Sequence, residues 1–206
     1  HPLTIALALA DLKMDQATIA AALLHDVVED GGATADHIKK EFGEDVAFLV
    51  EGVTKLGKLK YRGAERMAES LRKMFLATAE DIRVVLIKLI DRAHNMETLK
   101  ALPEEKQKRI ALETLEIYAP LADRLGLGQL KARLEDLAFP YVYPEEYKWL
   151  QNNVKEAFKE RTRYIEKIMP MVRELLAEEN ISVLAMDARA KHQYSLWRKL
   201  AKFDMD

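Results

Sequence analysis

Two segments of this chain combine residue types that can hold a metal ion. His25 and Asp26 are adjacent at the end of the apolar run ATIAAALL, and Glu29 and Asp30 follow them at a spacing of four. On a helix that spacing stacks each pair along one surface, so four ionisable groups share a patch. Farther along, Asp91, Asn95 and Thr98 recur at i, i+4 and i+7 in the aliphatic IRVVLIKLIDRAHNMETL, a polar stripe expected to face inward. Each feature alone has an ordinary reading: a hydrogen-bonded histidine, or an Asp91 paired with Arg92 or another cation. Together with His1, however, they offer two imidazoles and two carboxylates: His1, His25, Asp26 and Asp91. Buried charge is costly unless paired or shared with a cation. The mixed N/O set suits an octahedral Mn²⁺, Fe²⁺ or Mg²⁺ better than closed tetrahedral zinc. Such an ion activates water and neutralises phosphoryl charge, which makes hydrolysis the natural chemistry. Glu29 and Asp30, surplus to the ligand count, are expected in an acid–base role.

The elements that must position these groups read as helices. Pro2 suits a first helical turn, and that helix is expected to be short, breaking at Asp11 to Asp15. The segment from Gln16 is apolar on every side up to His25 and is expected to be one buried helix ending at Gly31-Gly32. Thr34 can cap a helix running to Phe42, and an apolar stretch from Val46 to Val53 follows. The basic KLGKLKYRG reads as loop, and Ala64 to Ala79 as an amphipathic helix. Asp81 sits where an N-cap would, opening a long buried helix towards Pro103. Another helix reaches about Tyr118, and after a break at Pro120 to Gly128 the segment LKARLEDLAF is expected to end at Pro140. Pro144 to Glu179 reads as one or two solvated helices, Ile181 to Met186 as a short strand, and Lys191 to Lys202 as helix again.

Composition narrows the function class. Of 206 residues, 49% are hydrophobic and 32% charged, a profile that excludes disorder. Lys and Arg total 32 against 34 Asp and Glu, so no basic footprint for nucleic acid or anionic membrane is present and phosphate binding must be local. The absence of cysteine excludes disulfides, thiolate nucleophiles and Cys-based zinc sites, and fits a cytoplasmic location. No apolar stretch has the length of a membrane span. Because the chain opens on His1-Pro2, a further upstream segment is expected.

The order H…HD…D is that of HD-domain phosphohydrolases, and the surrounding text resembles the Rel/SpoT group of long alarmone synthetase/hydrolases. The resemblance lies in HP at 1, LLHDVVED at 23–30, VTKLGKLKY at 53–61, IKLIDRAHNMETL at 87–99 and YAPLADRLGL at 118–127, and covers essentially the whole chain. It implies an all-α HD helical bundle over 1–140 lacking its N-terminal part, a helical linker over 141–180, and the first strand and helix of a truncated α/β synthetase domain over 181–206. The implied enzyme is a Mn²⁺-dependent hydrolase of the stringent response, converting (p)ppGpp to GDP or GTP and pyrophosphate. His1, His25, Asp26 and Asp91 match its metal ligands, Glu29 and Asp30 its catalytic pair, and Asn95, Thr98 and Leu99 positions lining its nucleoside pocket. ARAKHQYSLWRK at 188–199 resembles the opening of the synthetase domain. Arg189, Lys191, His192, Ser195 and Lys199 read equally as a solvated basic helix, and no synthetase activity is expected. The expected partner is a small nucleotide rather than nucleic acid or membrane. Two rival readings remain: an HD phosphohydrolase of other nucleotides, separable by substrate profiling, and an alarmone-binding regulatory module, which would bind without turnover.

Overall fold

A computed structural model of the chain describes residues 1–57, 72, 76, 77, 79–186, 188 and 192–203, without the side chains of 155–159. Most of the expected helix over 64–79, the loop from 58 onwards, and Arg189 and Lys191 lie outside the described residues. The chain forms two compact units, His1–Tyr141 and Val142–Asp206.

The first unit is helical throughout its described residues. α1 (Pro2–Asp11) starts on its proline, and α2 (Gln16–Leu24) is capped by Asp15, whose carboxylate accepts the Thr18 amide at 2.8 Å. α3 (Ala35–Phe42) is capped by Thr34, and its C-terminal Gly43 has φ +92°, a conformation that glycine adopts without strain. α4 spans Glu44–Gly57. α5 (Ile82–Glu97) is capped by Asp81, which accepts the Arg83 amide at 2.9 Å. A 3₁₀ turn (Leu99–Ala101), α6 (Glu104–Glu113), a π-helical turn (Thr114–Tyr118), α7 (Ala119–Arg124) and α8 (Gly128–Val142) complete the unit.

The core is built from the apolar faces these periods create. Ile5 and Leu9 of α1, Ala21 and Ala22 of α2, Leu49 and Val50 of α4, and Val85, Ile87 and Leu89 of α5 are all essentially inaccessible. Each large aliphatic side chain so buried stabilises the fold by roughly 1.5–3 kcal/mol relative to exposure. α4 and α5 touch through Gly52, where an added Cβ would fall 2.7 Å from Val84 Cγ2.

Three helix starts are tied by one guanidinium. Arg83 binds Asp45, in the first turn of α4, through NH1 at 2.9 Å and NH2 at 2.7 Å. It reaches the α5 cap Asp81 through Nε at 3.0 Å and NH2 at 2.7 Å, and the α2 cap Asp15 at 3.3 Å. The Thr18 amide first, then its hydroxyl and Arg83, hold the Asp15 carboxyl below the usual carboxylate range, and Arg83 does the same for Asp81.

The helix carrying His25 stops earlier than its sequence pattern predicts. α2 ends at Leu24, and residues 25–31 form successive turns. Val27 N–H donates to Leu24 O at 3.0 Å, Asp30 N–H to Asp26 O at 2.9 Å, and Gly32 N–H to Val27 O at 2.8 Å, around a Gly31 with φ +74°. The local cause is His25: its Nδ1 lies 2.7 Å from the Ala22 carbonyl, the acceptor that the Asp26 amide would use in a continuing helix. At the other end of the unit α8 runs through Pro140 to Val142 instead of stopping before it. In the final turn a proline forfeits only one backbone hydrogen bond, which the helix tolerates.

In the second unit α9 (Pro144–Glu178) is one helix passing through Pro170, and α10 (Gln193–Leu200) is followed by a 3₁₀ turn (Ala201–Phe203). Tyr143, Tyr194 and Trp197 cluster with ring centroids 4.8 to 6.3 Å apart. Residues 181–186 are not a strand, and Leu184 is fully exposed. A strand requires a ladder partner, and no strand occurs among the described residues. No helix among the described residues is long and apolar enough to cross a membrane.

Candidate metal centre

His25, at the C-cap of α2, is 1% exposed. The Ala22 carbonyl can only accept, so Nδ1 carries a proton there and, in the neutral ring, Nε2 presents its lone pair to the interior. Nε2 is buried and has no hydrogen-bond partner among the described residues. It points towards Asp26 Oδ1 at 3.1 Å and Asp91 Oδ1 at 3.9 Å. His1 brings Nε2 to 3.0 Å from the same Asp91 oxygen and to 3.8 Å from Asp26 Oδ2. One ligand atom from each of His1, His25 and Asp91 lies within 4.8 Å of the others. Lone pairs of two imidazoles and a carboxylate converging on one small volume, one of them on a buried nitrogen without a hydrogen-bond partner among the described residues, fit a divalent cation.

Asp26 stands beside this group, half-buried in the turn after α2. Burial raises its pKa above the usual carboxylate value; His25 opposes that shift, while Asp91 and Asp30 reinforce it. A carboxylate that its surroundings discourage from ionising gains most from a cation. Asp91, on the buried face of α5, is 3% exposed. Its partner is Lys88, one turn earlier, whose Nζ donates to Oδ2 at 2.8 Å. Burial alone would lower the Lys88 pKa, but the Asp91 charge and hydrogen bond outweigh it and hold the ammonium above its usual value. Arg92 is directed elsewhere: it donates to Tyr118 Oη at 2.9 Å, lies 3.4 Å from Glu113 and stacks over the Tyr118 ring.

The polar stripe of α5 reaches inward only at Asp91. Asn95 and Thr98 are exposed, although Met96 and Leu99 beside them stay buried, so it is this face and not the whole helix that leaves the core, and Asn95 Nδ2 donates to Asp91 Oδ1 at 2.7 Å. Thr98 is the C-cap, and Leu99, directly after it, is 1% exposed. Glu29 and Asp30 are exposed in the turns after Asp26 and do not stack on α2, which has already ended.

Sequence reasoning missed two residues. Lys88 and His94 lie three before and three after Asp91, on its side of the helix, and that spacing was the available signal. His94 Nδ1 is 2.8 Å from His1 Nδ1, with the rings edge to face, so one nitrogen must donate to the other. With the proton on His1 Nδ1, its Nε2 is left bare towards Asp91.

The HD-domain family pattern matches residues 1–128. Over 200 residues the chain is 54% identical to guanosine-3′,5′-bis(diphosphate) 3′-pyrophosphohydrolase of Aquifex aeolicus, covering 97% of this chain and 28% of that protein. It is 48% identical over 201 residues to the bifunctional (p)ppGpp synthase/hydrolase SpoT of Escherichia coli, with the same coverage of 97% and 28%. The GTP pyrophosphokinase of Myxococcus xanthus is 48% identical over 210 residues, 100% of this chain and 28% of that one. The chain thus spans 28% of the length of each of these relatives.

Proposed function

The chain belongs to the HD-domain family, and from that premise we propose that His1, His25, Asp26 and Asp91 hold a divalent ion, Mn²⁺ by preference, at a centre that hydrolyses the 3′-pyrophosphate of guanosine tetra- and pentaphosphate. The observation that carries this reading is His25 Nε2, buried, without a hydrogen-bond partner among the described residues, and facing two carboxylates and a second imidazole. The substrate class comes from the names of the relatives, which are alarmone hydrolases and synthetases.

When bound, the ion supplies Lewis acidity towards water and charge neutralisation for the pyrophosphate. The water oxygen bonds to the phosphorus attached to the ribose 3′ oxygen, the bond from that phosphorus to O3′ breaks, and O3′ takes up a proton, giving GDP or GTP and pyrophosphate. Glu29 and Asp30, exposed beside Asp26 where solvent and substrate arrive, take the proton from water and return one to O3′. Asn95 and Thr98, at the exposed end of α5, border the nucleoside, and Leu99 backs them from the core. In this reading residues 1–140 are the hydrolase domain, 141–180 a linker and 181–206 the opening of a synthetase domain, in a cytoplasmic protein.

The test is to strip the chain of metal, add ppGpp with and without Mn²⁺, and follow pyrophosphate. Release that needs Mn²⁺ is expected. A folded chain that binds ppGpp but releases nothing with the ion present would be a binding module instead.

A further inference from the structure

Asp91 is gripped at both oxygens. Lys88 donates to Oδ2 at 2.8 Å, while Oδ1 accepts Asn95 at 2.7 Å and is the atom facing His1 and His25. Both members of the Lys88–Asp91 pair are sheltered, with side chains 14% and 4% exposed. The carboxylate therefore cannot rotate or chelate through both oxygens without giving up a buried ammonium, which is expensive. Resting on the metal-centre reading above, we propose that Lys88 is a positioning residue: it confines Asp91 to a single ligating oxygen and sets a fixed positive charge beside the ion, so that the metal is held loosely enough to keep an open coordination position.

An ordinary structural partner makes the opposite prediction. If Lys88 served only to neutralise Asp91, its removal would loosen the helix and weaken metal binding. If it restrains Asp91, its removal frees Oδ2 for the ion and removes a repulsion at close range in a poorly solvated site, so the affinity rises.

The experiment is Mn²⁺ titration of the whole chain, without nucleotide, for wild type, Lys88→Gln, Lys88→Met and Lys88→Arg. The variants are prepared with Mn²⁺ bound, and affinity is read by competition with a chelator, so that weakened metal-free proteins remain measurable. The two neutral variants are expected to bind Mn²⁺ at least about tenfold more tightly, and to turn over ppGpp more slowly at saturating Mn²⁺, while Lys88→Arg stays near wild type. Folded neutral variants with unchanged or weaker Mn²⁺ affinity would overturn the inference and leave the metal centre standing. A wild-type chain that takes up no Mn²⁺ would overturn the metal centre, and this inference with it.

Discussion

The two ends of α2 and α5 carry clusters of the same residue type in opposite states. At their starts, Asp15 and Asp81 cap the helices and share Arg83 with Asp45, and both caps are held below the usual carboxylate range. Towards their ends, Asp26 is pushed above that range and faces a bare His25 Nε2. Neither cluster balances its charges. The difference is one of donors: helix N-termini offer amides and a favourable dipole, with a guanidinium already in place. The other cluster contributes mostly lone pairs, with Lys88 and Asn95 as its donors to Asp91. Acidic residues brought together are therefore a site for an outside cation only where the chain has withheld the donors.

The largest expected effect comes from neutralising Asp91, whose Oδ1 faces both imidazoles. Asp91→Asn should cost at least about a thousandfold in Mn²⁺-dependent pyrophosphate release, since several kcal/mol of charge stabilisation are lost. The same substitution at Asp81 should leave release unaltered, and equal losses at both positions would erase the distinction between the clusters. Next comes the imidazole that orients His1. His94→Ala should weaken Mn²⁺ binding by about 10–100-fold, as loss of an outer partner of a ligand does elsewhere. Wild-type affinity in a calorimetric titration would remove His94 from the centre.

Arg83→Met tests the other cluster. Urea denaturation should show a loss of about 1–2 kcal/mol, limited by the solvent around Asp15 and Asp45, with Mn²⁺ affinity unchanged. The pH dependence of that stability has a definite sign. Asp15 and Asp81 ionise more readily folded than unfolded, so their contribution is full above the unfolded value near 3.8 and disappears as pH falls through their lower folded values. Asp81→Asn, which keeps a capping oxygen, should flatten the acid limb of the stability profile. The smallest effect is expected at Asp26, whose raised pKa means that its charge opposes folding of the metal-free chain once pH exceeds 3.8. Asp26→Asn should raise the metal-free melting temperature slightly at neutral pH while weakening Mn²⁺ binding; a lower melting temperature would contradict that sign.

Much of this was legible in the residues. The caps Thr34 and Asp81 and the interior position of Asp91 follow from local chemistry and a period of 3.6. The end of α2 was not, because residues 17–30 keep a helical pattern while the interruption comes from one side chain, His25, competing for the Ala22 carbonyl. The α5 stripe was misjudged for a related reason. Periodicity assigns Asp91, Asn95 and Thr98 to one face but cannot say where along its length that face leaves the core. The strand expected at 181–186 depends on pairing partners, which a local pattern does not contain.

Gly52 widens the set of positions on which this chemistry depends. Its missing side chain lets Val84 lie against α4, and α4 contributes none of the ligands proposed for the ion. A single methyl there would press on both γ-methyls of Val84, a residue of α5, the helix that carries Asp91, so that this side chain or the helix behind it must shift. The mutational target of the centre is therefore larger than its ligand set: loss of function can arise in a helix that supplies none of the proposed ligands, and would look like a stability defect until metal affinity was measured.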